Sequence, residues 1–283
     1  MCGTTAWLLP QTSDHAIDVI AGLSVLAAVA ALVGHVTAAR PRRSMAALSA
    51  IGVVLLVGAT CWVGANSPKV TWFGSLVSHG DRSGHDVALT FDDGPNAGAT
   101  LAIGRLLAAR DAKGTFFEVG KAVARRPDIT RALVAAGHLV ADHSYRHDSR
   151  GWLDPRYPEL ARTQRTIDDL AGVCPAFYRP PHGQHTPFLA LVVHRHAMTM
   201  VGWDVSAGDW ASHDARRLAD RVLARVRPGS IIDLHDGLDG NVAADRQVLV
   251  RAMPRILDGL ARRGLHPVRL DVLLHSAGYL GRC

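Results

Sequence analysis

Val87-Ala88-Leu89-Thr90-Phe91-Asp92-Asp93-Gly94-Pro95 is the stretch on which the reading of this chain turns. Residues 87–91 have the length and apolar content of a buried strand, and Gly94-Pro95 then turns the chain. Between them stand two adjacent acids. Like charges this close resist joint ionisation, and a bound cation reverses that balance. The segment therefore asks for a metal, a proton-transfer role, or both. By itself the acid pair also reads as a surface turn.

His143-Ser144-Tyr145-Arg146-His147 supplies two imidazoles four residues apart. On a helical turn that spacing places both rings on one face. Two His and one Asp leave room for water, as in catalytic rather than structural zinc sites. The chain has 15 His, so such a pair also arises by chance. Three further polar clusters follow short strand-like runs. Arg179-Pro180-Pro181-His182-Gly183 comes after residues 176–178, Asp209-Trp210 after 200–203, and His235-Asp236-Gly237 after 231–234. In a parallel α/β barrel the strand ends share one rim, where active sites lie. The clusters are expected to converge there.

Taken together, these segments resemble the polysaccharide deacetylases, the metal-dependent carbohydrate esterases of family four. The resemblance spans about residues 86–274 and rests on five motifs in order. It implies a catalytic base at Asp92, metal ligands at Asp93, His143 and His147, and Arg179 as the residue that orients the base and balances its charge. It further implies that the His182 main-chain N–H helps hold an oxyanion and that Asp209 tunes His235 as general acid. Trp210 and Leu234 are expected to line an apolar pocket for the acetyl methyl. The implied cofactor is a divalent ion; these ligands suit Zn2+ best, with Co2+, Ni2+ and Mn2+ admissible. The sequence departs from the family pattern at three places. Ser206 stands where many relatives carry Asp, Ala141-Asp142 replaces a common Gly-Asn, and His182 stands where Tyr is frequent. None removes a catalytic group; they bear on substrate choice.

Competing chemistries fit less. A two-His, one-carboxylate set can hold iron, but then Asp92, Arg179 and His235 have no role. The sequence has no Gly-x-Ser-x-Gly elbow and no His-Glu-x-x-His run. Gly114 to Gly120-Lys121 has the wrong spacing for a phosphate loop, with Ala122 where Ser or Thr is needed. The substrate class implied is an N-acetylated glycan, peptidoglycan first and chito-oligosaccharide second. An O-acetyl glycan esterase is the nearest chemical rival, and a glycan-binding module without catalysis is the rival of another class.

The 283 residues, 48% hydrophobic, allow one substantial domain plus an apolar region. Residues 19–39 and 45–65 contain no Asp, Glu, Lys or Arg. At about 1.5 Å per helical residue each is long enough to span a bilayer. Neither run has the polar face that a buried helix pair of a soluble protein would show. Arg40-Pro41-Arg42-Arg43 between them belongs in the cytoplasm by the positive-inside rule. The catalytic domain then lies outside the cytoplasm, anchored to the cell membrane. In a second reading, Arg42-Arg43 and the run after them form a signal peptide, with Met45 as the start and a secreted product. The expected organisation is an anchoring region at 1–65, a Gly/Ser-rich linker at 66–84 with Trp72 and Phe73 at the membrane surface, and a catalytic domain at 85–283. Cys174 and Cys283 fall outside, where disulfides persist; a bridge and two free thiols both fit the spacing. The formal charge of +6 suits an anionic wall polymer or lipid head groups. Basic residues are scattered, without the aromatic-interleaved stripe of a nucleic-acid binder. Oligomeric state leaves no sequence signal.

From residue 86 onward, strand-like runs alternate with helical patterns. The runs are 87–91, 115–119, 138–141, 176–178, 199–203, 231–234 and 266–268. Apolar residues at three and four spacing mark helices at 101–110, 129–136, 160–170, 189–196, 215–226 and 242–260, with Pro254 expected to start a turn or kink the last. The alternation predicts an α/β fold with a parallel sheet. About seven strands fit an incomplete or distorted (β/α) barrel, preceded by the two N-terminal apolar helices. An open doubly wound sheet is the alternative. Phe116, Phe117, Phe177 and Phe188 are expected in the core.

Overall fold

The computed structural model describes residues 41–66 and 72–283. The first apolar run, 19–39, lies outside the described residues, so one N-terminal apolar helix is seen where two were expected. That helix, α1 (Pro41–Asn66), takes in the second run. Pro41 sits in its first turn, where a missing N–H costs nothing, and no later Pro interrupts it. The stretch Ser49–Asn66 is long and apolar enough to cross a membrane by length and composition.

Residues 64–283 form one compact unit. Its strands are β1 (Asp86–Gly94), β2 (Thr115–Glu118), β3 (Leu139–Asp142), β4 (Cys174–Pro175), β5 (Phe177–Tyr178), β6 (Thr199–Met200), β7 (Val205–Ser206), β8 (Ile231–His235), β9 (His266–Val268) and β10 (Tyr279–Leu280). Seven lie in the order β6-β5-β3-β2-β1-β8-β7 with every neighbour parallel, and β9 pairs with the first residues of β1. This is the expected incomplete barrel. β7 is an addition to the expected strands, since two residues carry no readable period. Residues 76–80 are stitched to the sheet near its ends: Val77 bridges to Val201, and His79 to Ser230.

The connecting helices are α2 (Thr100–Ala108), α3 (Gly120–Arg125), α4 (Pro127–Ala135), α5 (Pro158–Ala171), α6 (Pro187–Arg195), α7 (Ala215–Arg225), α8 (Gln247–Ala261) and α9 (Leu270–Leu273). Pro127, Pro158 and Pro187 open α4, α5 and α6, and the Asp214 carboxylate caps α7 by accepting from the N–H groups of Arg216 and Arg217. The last long helix begins at Gln247, five residues later than its apolar period suggested, and runs through Pro254.

Strand alternation divides the core. Leu89, Phe91, Phe116, Val140, Ile232 and Leu234 point outward into one cluster with Ile103, Leu218 and Ile256 of the helices. Ala88, Phe117, Leu139, Ala141 and Ile231 point inward to a second. Even-numbered residues of β1 therefore face the barrel interior, and this carries Thr90 and Asp92 inside. Phe116, Phe117 and Phe177 are buried as expected, but Phe188 is 59% exposed. It lies on the outer side of α6, whose buried residues are Leu189 and Val193.

The structure joins Cys174 to Cys283, closing a separation of 109 residues beside the antiparallel β10–β4 pair. Cross-linking a loop this long restricts the unfolded chain most, and losing such a bridge typically costs about 2–5 kcal/mol. Cys283→Ser should lower the urea midpoint of unfolding accordingly, and reduction of the native protein should reproduce the shift. An unchanged midpoint in both would show that the bridge adds nothing to stability.

Candidate active site and metal centre

Asp93, His143 and His147 come together at the rim, with one ligand atom from each within 4.8 Å of the others. The Asp93 Oδ1 lies 3.1 Å from His147 Nε2 and 3.5 Å from His143 Nε2. The opposite ring atoms are engaged. His143 Nδ1 is 2.8 Å from the Arg179 carbonyl oxygen, which can only accept, so the proton sits on Nδ1 and the Nε2 lone pair is free. His147 Nδ1 is 2.8 Å from Asp239 Oδ1, off the line of a good hydrogen bond but close enough to favour the same tautomer. Asp93 Oδ2 accepts from the Asp239 N–H at 3.0 Å, while Oδ1 is buried without a donor. Three lone pairs thus face one point with no proton among them. A cation there satisfies all three, and the donor set fits a divalent metal.

Burial presses the Asp93 pKa up, but the imidazoles of His147, His235 and His143 outweigh it and hold the carboxylate below its ordinary range. Burial and the neighbouring His147 keep the His143 pKa well below that of a free imidazole, which suits a neutral ligand. The backbone is unusual here. Asp93, Ser144, His147, His182 and Asp239 all have φ between 48° and 73°. Left-handed non-Gly residues are uncommon and cluster where a site over-determines its geometry. Gly237 lets the loop after β8 approach: a Cβ there would lie 2.1 Å from the Asp93 carbonyl oxygen.

Beside this cluster stands a second. Arg179 is fully buried over the Phe117 ring, 4.0 Å from its centroid. Its Nη1 donates to Asp92 Oδ1 at 2.6 Å and Thr90 Oγ1 at 2.8 Å, and its Nη2 donates to the Gly202 carbonyl at 3.0 Å. Asp92 Oδ2 is left facing His143 Nε2 across 3.7 Å. Opposite, the Asp209 carboxylate accepts from the His235 ring Nδ1 at 2.9 Å and from its main-chain N–H at 2.9 Å. Arg246 donates to Asp209 Oδ2 at 2.6 Å and to the His235 carbonyl at 2.9 Å. Burial disfavours the imidazolium, but the Asp209 carboxylate, first by its charge and also by its hydrogen bond, opposes that, and the His235 pKa is raised well above its ordinary value. A carboxylate and a protonated imidazole therefore flank one space.

The structure gathers nine of the ten residues singled out from the sequence at this rim. His147 and His182 lie with ring centroids 4.7 Å apart, and Trp210, 43% exposed, stands edge-on to His235 at 5.1 Å. Leu234 is the exception. It is fully buried in the outer cluster, so it cannot line an acyl pocket. The reason is the two-residue period of β8, which turns Leu234 out while Asp233 and His235 turn in. The His pair also differs in detail: it lies on an irregular loop, with left-handed Ser144 and His147, not on a helical turn. Asp142, which departs from the family pattern, has one oxygen accepting from the Ser144 N–H at 2.8 Å and so shapes that loop. Three contributors escaped the sequence reading: Asp239, Arg246 and Asp233. Asp239 lies in a Gly-rich turn and Arg246 eleven residues beyond His235, where no local pattern marks them.

A polysaccharide deacetylase family model matches residues 79–201, the span that holds Asp92, Asp93, His143, His147, Arg179 and His182. The chitooligosaccharide deacetylase of a Bradyrhizobium species is 34% identical over 203 residues, covering 68% of this chain and 93% of that protein. A peptidoglycan N-acetylglucosamine deacetylase of known structure superposes with a TM-score of 0.67 at 27% identity, covering 72% of this chain and 94% of that one. A family 4 carbohydrate esterase from Streptomyces lividans, solved with acetate, gives 0.57 at 33% identity over 65% and 91%. Similarity that runs nearly the full length of such relatives places this chain in the polysaccharide deacetylase family, the carbohydrate esterases of family four, as a metal-dependent hydrolase.

Proposed function

We propose that the protein removes N-acetyl groups from the amino sugars of a cell-wall polysaccharide, peptidoglycan first. The observation that carries this reading is the free Asp92 oxygen, aimed at the space beside the Asp93, His143 and His147 ligand atoms, with protonated His235 facing it. Those three side chains would hold a divalent ion, which when bound would supply a more acidic water and a polarised amide carbonyl. Asp92 takes the proton of the attacking water, and Arg179 fixes its orientation. The turn at His182 presents its main-chain N–H to the developing oxyanion. His235 gives its Nε2 proton to the leaving amine, because Nδ1 is held by Asp209. Trp210 forms the wall beside it. Residues 1–65 anchor the domain, or a cleaved leader within them exports it; the disulfide fits a place outside the cytoplasm. Zn2+ is the proposed ion.

Acetate release tests the reading, measured on peptidoglycan, chito-oligosaccharide and acetylated xylan with and without a chelator. Chelator-sensitive release from peptidoglycan is the expected result. Release from chito-oligosaccharide alone would favour the activity named for the Bradyrhizobium relative, and release from xylan alone would make it an O-acetyl esterase. No release from any glycan that it still retains would make it a binding module.

The acid role has its own test. Activity needs His235 protonated, so it persists below the raised pKa and falls as pH climbs through it. Asp209→Asn removes the strongest charge raising that pKa. The alkaline limb of the pH–kcat profile should then move to lower pH. A limb that stays in place would remove His235 from the acid role.

A further inference from the structure

Below the Asp92–His235 rung lies another. Thr90 pairs in register with Asp233, and Asp233 with Ser206, so the three side chains share the inner face of β1, β8 and β7. Thr90 is satisfied: it donates to the Ile232 carbonyl and accepts from Arg179. Its two rung mates are not. Asp233 Oδ1 and Ser206 Oγ are buried and have no hydrogen-bond partner. Asp233 is nevertheless no more sealed than Asp92, both being 2% exposed. Ligand atoms of Asp92, Asp233 and His235 lie within 4.8 Å of one another. Asp233 therefore forms the floor between the proposed base and acid.

The carbonyl carbon under attack has four directions to fill. Water comes from the Asp92 side, the oxyanion turns to the His182 loop, and the amine faces His235. The acyl substituent is left to point down, past Trp210, toward Asp233. We propose that Asp233 is a specificity-determining residue, and that the site hydrolyses N-hydroxyacetyl (glycolyl) amino sugars in preference to N-acetyl ones. A methyl against this floor leaves the carboxyl unpaired, which is costly in a buried place. A hydroxymethyl supplies both a donor and an acceptor.

The titration state suits that exchange. Burial, with Asp92 and Asp209 adding to it and His235 and Arg179 opposing, pushes Asp233 up to about 7. Near neutrality it carries a proton for much of the time, and a carboxyl group in that form both donates and accepts. The reaction is the one already described: water adds to the carbonyl, the C–N bond breaks, the amine leaves with the His235 proton, and glycolate replaces acetate as the acid product.

The inference rests on the deacetylase reading, and its test separates the two. Full-length, metal-loaded protein is given chito-oligosaccharides bearing N-acetyl or N-glycolyl groups, and both released acids are quantified. The expected kcat/KM ratio favours glycolyl by roughly tenfold or more. Asp233→Leu should invert it, and the isosteric Asp233→Asn, which still donates and accepts, should keep it above one. Glycolate should inhibit wild type more tightly than acetate and lose that advantage in Asp233→Leu. A ratio at or below one in wild type, or one unmoved in Asp233→Leu, overturns the inference and leaves the deacetylase reading standing. Release of neither acid overturns both. Should Asp233→Leu not fold, the wild-type ratio and the Asp233→Asn ratio decide the matter.

Discussion

Asp93→Asn is expected to emerge folded, to carry no stoichiometric metal, and to release acetate no faster than the uncatalysed background. The choice of Asn matters. Asp93 sits at φ 73°, a left-handed conformation in which Asn is comfortable and Ala is strained. The substitution therefore removes the charge without disturbing the turn. The proposed metal site, one carboxylate and two neutral imidazoles, would lose its only anionic ligand, and two His alone bind weakly. His147→Asn, at φ 59°, should behave the same way for the same reason. Asp239→Ala should be milder. It keeps all three ligands and removes only the carboxylate behind His147, and such outer partners are typically worth about 10–100-fold in metal affinity. Metal content by elemental analysis, read beside a thermal unfolding curve, checks all three. Full occupancy in a folded Asp93→Asn would exclude Asp93 as a ligand.

The gradation between those variants shows where sequence reading stops. Adjacent acids at the end of an apolar run, and polar clusters after four more runs, are local facts, and local facts place Asp92, Asp93, Arg179 and His235 at one rim. Alternation and strand count call for a parallel sheet and fit an incomplete barrel, but they fit an open doubly wound sheet as well, and the strand pairing decides for the barrel. What resists is anything decided by orientation across strands. Leu234 and Asp233 are neighbours in one short run, and only the register of β8 against β1, Phe91 with Leu234 and Thr90 with Asp233, tells which faces the site. Phe188 reads as core by type, yet α6 buries Leu189 and Val193 and leaves it outside. The four-residue spacing of the His pair is compatible with a helix, but two left-handed residues bring the rings together on a loop, and left-handed φ at Ser or His has no sequence mark. Asp239 and Arg246 act through partners reached only by folding, the first by His147 and the second by Asp209.

Asp92→Asn separates the metal from the chemistry. Asn keeps the size and leaves Asp93, His143 and His147 untouched, so the ion should stay. Its amide cannot take a proton from water, and losing a positioned base typically costs about 10²–10⁴-fold in rate. The concern is Arg179, fully buried with its shortest ion pair to Asp92. Removing one partner of a buried pair is usually destabilising because the other charge is stranded. Here a second carboxylate stands ready: Asp233 Oδ1 is 3.7 Å from Arg179 Nη1. With Asp92 neutral, the like charge that helps raise the Asp233 pKa is gone, so Asp233 ionises more readily and balances the guanidinium. The variant is therefore expected to fold, bind metal at wild-type stoichiometry, and turn over N-acetylated substrate at least about a hundredfold more slowly. Acetate release per bound ion is the measurement. A metal-replete Asp92→Asn within a few-fold of wild type would take the base role from Asp92 and leave the water to be deprotonated elsewhere.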